Sequence, residues 1–255
     1  MGSEAVESTS SEPSPRAIVA EAQRRLEDHG RHIPPPGRQP WAVRLNRAVF
    51  WLAKHWLVAF SALIALYLLG AILPAVLMRL GAARAASILY ALYSPFCHQY
   101  PFRSWFLFGS RAAYPLQAPV EVLEMNALRT FVGDPHTGYK IALCQRDIAL
   151  YGAMLLYGII FGVLPRRERV RPLPGWLFFV FCVLPIALDG GVQWLSYAVW
   201  QFFPALLSAP FETIPLLRTL TGALFGAGIT AVAYPYLRDY FAEVRAALRE
   251  KYGWI

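Results

Sequence analysis

The sequence predicts an all-α integral membrane bundle of four transmembrane helices, with short interfacial or re-entrant helices on the outer side. Two observations support this prediction. The 255 residues are 56% hydrophobic and only 16% charged, whereas soluble domains average about 25% charged residues. The mean hydropathy is +0.39, and the apolar residues fall into runs long enough to cross a hydrocarbon core of ~30 Å. We therefore expect the lipid bilayer to be the main partner of this chain.

The basic character of the chain does not indicate a nucleic-acid partner. The formal net charge is +8, but nucleic-acid binders carry their basic residues as a patch on a soluble domain. Here the Lys and Arg residues flank apolar runs, as they do in membrane proteins. Residues 1–30 contain no apolar stretch typical of a cleavable signal peptide. We expect the first apolar run to act as an uncleaved anchor.

The chain is predicted to have three regions. Residues 1–40 are polar and predict a cytoplasmic segment that is disordered apart from one short helix after Ser14-Pro15. Residues 41–237 form the membrane domain, and residues 238–255 form a basic cytoplasmic tail. The four spans are predicted at about 56–78, 148–164, 174–189 and 214–236.

Glycine spacing predicts close contact between the spans. Gly158 and Gly162 form a G-x-x-x-G pattern in the second span, and Gly222 and Gly226 form another in the fourth. This spacing lets helix backbones approach each other closely. Ala142 and Leu143 are expected to extend the second span outward.

Two further apolar segments are not expected to be spans. Residues 85–96 are too short to cross a bilayer. Residues 194–211 are interrupted by prolines, and a fifth crossing would place the basic tail outside. We expect both to be interfacial or re-entrant, and the aromatic run Tyr197–Phe203 to anchor the interface.

The distribution of basic residues predicts the orientation. With both termini inside, sixteen of the 24 Lys and Arg residues lie in inner segments, including four in the short loop 165–174. Short loops follow the positive-inside rule best. We expect a multi-pass protein of the cell membrane with cytoplasmic N- and C-termini.

With this threading, polar residues from four separate stretches lie at one membrane level. Ionisable groups at such depth are costly and suggest function. The set comprises Cys97, His98, Gln99, Arg103, Cys144, Arg146, Asp147, Asp189, Gln193, Glu212, Arg218 and Thr221.

These stretches resemble an uncharacterised family of prokaryotic polytopic membrane proteins, known as a domain of unknown function. The resemblance is carried by four short motifs across roughly residues 85–230. They are Cys97-His98-Gln99, Cys144-Gln145-Arg146-Asp147, Asp189-Gly190-Gly191 with Gln193, and Leu217-Arg218 with Thr221-Gly222. The resemblance implies a membrane bundle and implies no activity. It also implies a departure, because many members have a second cysteine where this chain has Asp147.

The cysteines allow three interpretations. Cys97, His98 and Cys144, completed by Asp147, Asp189 or Glu212, are ligand types that a transition metal accepts. Alternatively, Cys97 and Cys144 form a structural disulfide, which an oxidising outer face would permit. In the third interpretation they are unpaired structural thiols. Cys182 lies in the middle of a span and is interpreted as a packing residue.

The charged residues allow two interpretations. Three carboxylates, Asp147, Asp189 and Glu212, face three arginines, which is the composition of a self-compensating ion-pair network. Alternatively, Arg103, Arg146 and Arg218 bind an anionic ligand together with Gln99, Gln193 and Thr221, and one of the carboxylates is catalytic.

Three classes of function remain open at this stage. The first is a membrane protein whose outward-facing polar pocket binds a metal or acts on a small or lipid-like substrate. The second is a small transporter or channel subunit, although internal repeats and charges deep in the spans are lacking. The third is a structural scaffold whose polar cluster only holds the bundle together.

Overall fold

The computed structural model describes residues 40–116, 122–203 and 205–254, together with Ala20, Glu21 and Arg24. Those three isolated residues are helical. The remainder of the predicted N-terminal region lies outside the described residues, and its disorder and short helix stay predictions.

Six helices are present in the described part of the chain. They are α1 Pro40–Arg79, α2 Ala83–Tyr93, α3 Val122–Thr130, α4 Gln145–Val163, α5 Gly175–Phe202 and α6 Pro215–Tyr252. Four of these six, α1, α4, α5 and α6, are long and apolar enough to cross a membrane. The predicted all-α bundle with four transmembrane helices is therefore confirmed. Single 3-10 turns occur at Pro101–Arg103 and Arg167–Arg169, and α5 contains a π-helical turn at Phe179–Val183.

The described residues divide into two compact units. The larger unit is Leu52–Arg245, and the smaller one joins the beginning of α1 to the end of α6. Inside the smaller unit, Asn46 donates a hydrogen bond of 2.8 Å to the hydroxyl of Tyr252, and the rings of Phe50 and Trp254 lie 5.7 Å apart. All the site residues discussed below belong to the larger unit.

Helix α5 is longer than the predicted third span. It does not end at Asp189 but continues to Phe202, so residues 194–202 belong to this helix rather than to a separate interfacial segment. Asp189 and Gln193 are both buried. Their polar groups are bound by other helices, and they therefore do not end the helix.

A small antiparallel sheet was not predicted. It contains β1 Ser104–Leu107, β2 Gly133–Asp134 and β3 Gly138–Cys144 in the order β1-β3-β2. The expectation that Ala142 and Leu143 extend the second span is wrong, because both are buried residues of β3. Strand β3 runs directly into α4, so the sheet fixes the start of that helix.

The two glycine pairs make the predicted close contacts. A Cβ atom at Gly158 would lie 2.8 Å from Oγ of Ser61 on α1. A Cβ at Gly222 or Gly226 would clash with the backbone carbonyl of Arg146 or Leu150 on α4. Glycine is therefore required where α4 packs against α1 and where α6 packs against α4.

Candidate functional site

Two thiols and a carboxylate converge beside the start of α4. Cys97 is buried in the loop after α2, where its backbone N–H donates to the carbonyl of Tyr93 at 3.2 Å. Cys144 ends β3 and caps α4, with its Sγ accepting from the N–H of Asp147 at 3.5 Å. The two Sγ atoms and a carboxylate oxygen of Asp147 all lie within 4.8 Å of one another. We call these three residues the Cys/Asp cluster.

Both thiols are free, and their sulfur atoms lie within 4.8 Å of each other. The Cys144 thiol hydrogen-bonds to the sulfur of Cys97 and lowers the pKa of the Cys97 thiol, although burial opposes this effect. The same hydrogen bond, followed by burial, raises the pKa of Cys144 well above its ordinary value. The ionisation of each thiol therefore depends on the other.

The Cys/Asp cluster opens into a cavity of about 180 Å³. Its walls are Phe96, Cys97, His98, Gln99, Tyr100, Arg103, Cys144, Arg146, Asp147, Gln193 and Arg218. A neighbouring cleft of about 290 Å³ shares several of these residues and reaches Trp194 and Tyr197 on α5. The cavity alone is smaller than the ~300 Å³ at which pockets for drug-sized ligands begin. It suits an ion or a small group, with the cleft as the larger space beside it.

One wall of the cavity is held by Glu212. Arg103 forks onto this carboxylate through Nη2 at 2.5 Å and Nε at 3.0 and 3.1 Å. Arg218 forms an ion pair with the other carboxylate oxygen, and Gln193 donates a hydrogen bond to it. The Tyr197 hydroxyl donates to the first oxygen at 2.5 Å. One carboxylate therefore serves two guanidinium groups, which leaves an excess positive charge in this wall.

A second ion pair lies beside the cavity, between Arg146 and Asp189. Arg146 Nη2 lies 2.5 Å from Oδ2 of Asp189, which also accepts from the Thr221 hydroxyl at 3.0 Å. Arg146 lies on α4, Asp189 on α5 and Thr221 on α6, so the pair joins three helices. Within the described residues, Nε of Arg146 and Oδ1 of Asp189 are buried and have no hydrogen-bond partner. Such buried polar atoms are the usual binding points of internal water or a ligand.

Buried Lys140 holds the loop that carries Cys97. Its Nζ donates to the carbonyl oxygens of Gln99 and Arg129, both at 2.7 Å. Burial lowers the pKa of Lys140 to about 8. Gln99 has a φ of +57°, and its side chain donates to the carbonyl of Tyr90 at 2.7 Å. The strained backbone of Gln99 thus lies between two fixed hydrogen bonds, which position the preceding residues.

The structure brings most of the sequence-derived candidates together, but in distinct groups. Cys97 and Cys144 meet Asp147, whereas the proposed metal ligand Asp189 is bound to Arg146. His98 lines the cavity, and its ring stacks on Tyr100 with centroids 5.9 Å apart. Burial, followed by the charges of Arg129 and Arg103, lowers the pKa of His98, which keeps the ring neutral.

Two residues of the site were missed by sequence reasoning. Tyr197 was interpreted as an interface anchor, but its hydroxyl binds Glu212. Lys140 was not among the candidates, although a lone lysine inside the apolar run from Tyr139 to Leu143 is a signal of a buried cation.

Four helices long and apolar enough to cross a membrane define a polytopic membrane protein, and the comparisons with known proteins agree. Residues 127–232 match a family described as "Predicted membrane protein (DUF2085)". This segment contains Cys144, Asp147, Asp189 and Arg218 and begins after Cys97. Over these residues the match confirms the expected similarity to uncharacterised membrane proteins.

The chain is also similar to an uncharacterised protein of Methanocaldococcus jannaschii. The two are 27% identical over 146 residues, which cover 57% of this chain and 65% of that protein. The chain thus spans less than two thirds of this relative. No solved structure matches the chain.

Proposed function

We propose that this protein binds a divalent transition metal in its polar pocket through Cys97, Cys144 and Asp147, and presents the metal to a small or lipid-like ligand. The observation that carries the proposal is the convergence of three ligand atoms within 4.8 Å. Tetrahedral ligands at the ~2.3 Å zinc–sulfur distance are about 3.8 Å apart, so an inward shift of about 1 Å completes the geometry. Three protein ligands with an open fourth position are typical of zinc sites that act on a bound molecule.

The charges of the pocket support a divalent ion. Summed over the whole pocket, its three arginines and three carboxylates cancel, although the wall at Glu212 alone carries an excess positive charge. Metal binding deprotonates coordinating thiols, so Cys97 and Cys144 then contribute two negative charges. A divalent cation balances these two charges. The cavity borders the Cys/Asp cluster. His98, which is neutral, lies in the cavity wall in the same loop as Cys97 and could supply a fourth ligand to the metal.

The arginines support a binding role for the cavity as well as a structural one. Arg103 and Arg218 share Glu212, and the resulting excess positive charge favours an anionic group near the metal. Gln99, Gln193 and Thr221 are proposed to bind or orient that ligand. The neighbouring cleft, with Trp194 exposed at its edge, offers space for an apolar tail.

The proposed orientation places this pocket on the outer side of the cell membrane and both termini in the cytoplasm. Support comes from the basic loop between α4 and α5, which lies at the end of α4 away from Cys144. Reporter tags at the two termini test this part independently. Tags on opposite faces would contradict the even number of crossings.

Metal analysis of the full chain purified in detergent tests the proposal. We expect close to one metal ion per chain in the wild type. Cys97→Ser, Cys144→Ser and Asp147→Asn are each expected to lower metal affinity at least tenfold, since even second-shell changes cost about 10–100-fold. Cys182→Ser is the matched control, because Cys182 is buried on α5 and lies outside the cluster. A well-folded, metal-free wild type would contradict the proposal, as would equal metal loss in the Cys182 variant.

The proximity of the two thiols favours one second candidate, a redox-active or structural disulfide. A maleimide reagent applied before and after reduction separates the two possibilities. Metal binding predicts that chelation exposes Cys97 and Cys144 to the reagent without a reductant. A disulfide predicts labelling only after reduction.

A further inference from the structure

A second polar cavity lies at the other end of the bundle. Helix α4 has 19 residues, so its two ends are about 28 Å apart. Cys144 caps one end, and Phe161 and Gly162 near the other end line a cavity of about 560 Å³. The remaining walls come from α1, from the loop after α4 and from α6.

The lining of this cavity is rich in cations. Lys54, Arg167, Arg238 and Arg245 face two carboxylates, Glu168 and Asp239. Arg238 is already occupied, since it donates to the carbonyl of Val170 at 3.1 Å and pairs with Asp239 at 2.7 Å. Arg167 makes only a weak, exposed pair with Glu168 at 4.0 Å.

Lys54 and Arg245 differ from these two arginines. Neither makes a side-chain hydrogen bond or an ion pair with any residue that the structure describes, and both line the cavity. They come from different helices, α1 and α6. Two cations without a partner among the described residues, facing one cavity, form a binding position for an anion from outside the chain.

The rest of the wall is apolar and continues onto the outer surface of the helices. Trp56, Leu57, Val58 and Phe161 line the cavity. Val58 is 68% exposed and Val163, two residues beyond Phe161, is 75% exposed. In a membrane, such side chains face acyl chains. The cavity therefore joins a cationic end to an apolar flank, as a phospholipid-binding site does.

We propose that this cavity binds a phosphate group, with Lys54 and Arg245 as its cationic contacts. A bilayer supplies this group as the headgroup of an anionic phospholipid, whose acyl chain lies along Val58. The aqueous phase supplies it as inorganic phosphate. The site is independent of the Cys/Asp cluster, and neither proposal requires the other.

Lipid titration of the purified full chain, followed by native mass spectrometry, tests the proposal. Wild type is expected to retain phosphatidylglycerol in preference to phosphatidylcholine. The double variant Lys54→Gln/Arg245→Gln is expected to bind phosphatidylglycerol about 30-fold more weakly, from the contribution of two basic side chains near a membrane surface. Its binding of phosphatidylcholine is expected to be unchanged.

The matched control removes the same charge elsewhere. Arg84→Gln/Arg111→Gln changes two exposed arginines outside this cavity and is expected to bind phosphatidylglycerol like the wild type. Equal retention by wild type and the Lys54/Arg245 variant, or equal loss in the control, overturns the proposal. If the double variant unfolds more readily than wild type, the single variant Lys54→Gln is tested in its place, because the Lys54 side chain is exposed.

Inorganic phosphate at matched ionic strength distinguishes the two sources. Failure of millimolar phosphate to displace phosphatidylglycerol supports a lipid headgroup as the ligand. Displacement of phosphatidylglycerol from the wild type by millimolar phosphate supports the same phosphate site with the aqueous phase as its source.

Discussion

Neutralising Glu212 provides the sharpest test of how the polar pocket is held together. Glu212→Gln preserves size and hydrogen-bonding capacity but removes the charge that serves both Arg103 and Arg218. The Arg218 side chain is 2% exposed, and that of Arg103 is 21% exposed. Breaking a buried ion pair typically costs 3–5 kcal/mol, because a charge is left buried and uncompensated. We therefore expect a loss of about 4 kcal/mol in the free energy of unfolding.

For a chain of this length, a loss of that size corresponds to a fall of about 10 °C in the thermal unfolding midpoint. Size-exclusion chromatography of heated, detergent-solubilised protein, detected by tryptophan fluorescence, measures this midpoint. Glu168→Gln is the matched control. The Glu168 side chain is 75% exposed and lies 4.0 Å from Arg167, so its loss should cost less than about 0.5 kcal/mol.

A double variant distinguishes loss of the Arg103–Glu212 ion pair from a non-specific destabilisation of the fold. Arg103→Gln combined with Glu212→Gln should cost less than the sum of the two single changes, because the second change removes a charge that the first left unpaired. The reasoning fails if Glu212→Gln unfolds within about 2 °C of wild type, or if the two changes are strictly additive.

Three further predictions use the same unfolding measurement. Gly226→Ala should lower the free energy of unfolding by about 1–3 kcal/mol, since its Cβ would clash with a backbone carbonyl of α4. Gly152 has open space around it, so Gly152→Ala should be neutral or raise this free energy by up to about 1 kcal/mol. Arg103→Lys should destabilise by about 1–2 kcal/mol, because an ammonium cannot reproduce the forked contact with Glu212. Between pH 8 and 10.5, the free energy of unfolding of the wild type should rise by up to about 3 kcal/mol relative to that of the Lys140→Met variant.

The sign of the pH effect follows from the lysine pKa. The folded-state pKa of Lys140 is lowered from 10.5 to about 8, so in this window the folded state binds fewer protons than the unfolded state. Stability then rises with pH. A wild-type profile parallel to that of Lys140→Met would contradict a buried, desolvated ammonium. A Gly152→Ala variant as destabilised as Gly226→Ala would contradict the helix-contact argument.

The sequence was sufficient to predict the four long helices, because uninterrupted apolar runs of bilayer length have few other interpretations. The spacing of glycines also indicated close contacts between the spans, and the structure shows which helices make them. Helix ends were harder to predict. Asp189-Gly190-Gly191 was interpreted as the end of a span, but Asp189 is paired with Arg146 of α4, and the helix continues through both glycines.

The sheet escaped prediction for a different reason. Strand β3 is buried along almost its whole length, so it lacks the alternation of polar and apolar residues that identifies a strand. Its partner β1 has only four residues. Pairing between residues forty positions apart, such as Ser104 with Cys144, leaves no local pattern in the sequence. The meeting of Cys97 with Cys144 depends on that pairing, and the sequence alone therefore left the choice among Asp147, Asp189 and Glu212 open.

Cys144 and Asp147 lie on a single helical turn, whereas Cys97 comes from a separate loop. The spacing between Cys144 and Asp147 is therefore fixed by the α4 backbone. The position of Cys97 depends instead on its own loop, which Lys140 holds through a hydrogen bond to the carbonyl of Gln99. Loss of the hydrogen bond between Lys140 and Gln99 would therefore change the distance of Cys97 from Cys144 and Asp147, although none of these three side chains would be altered.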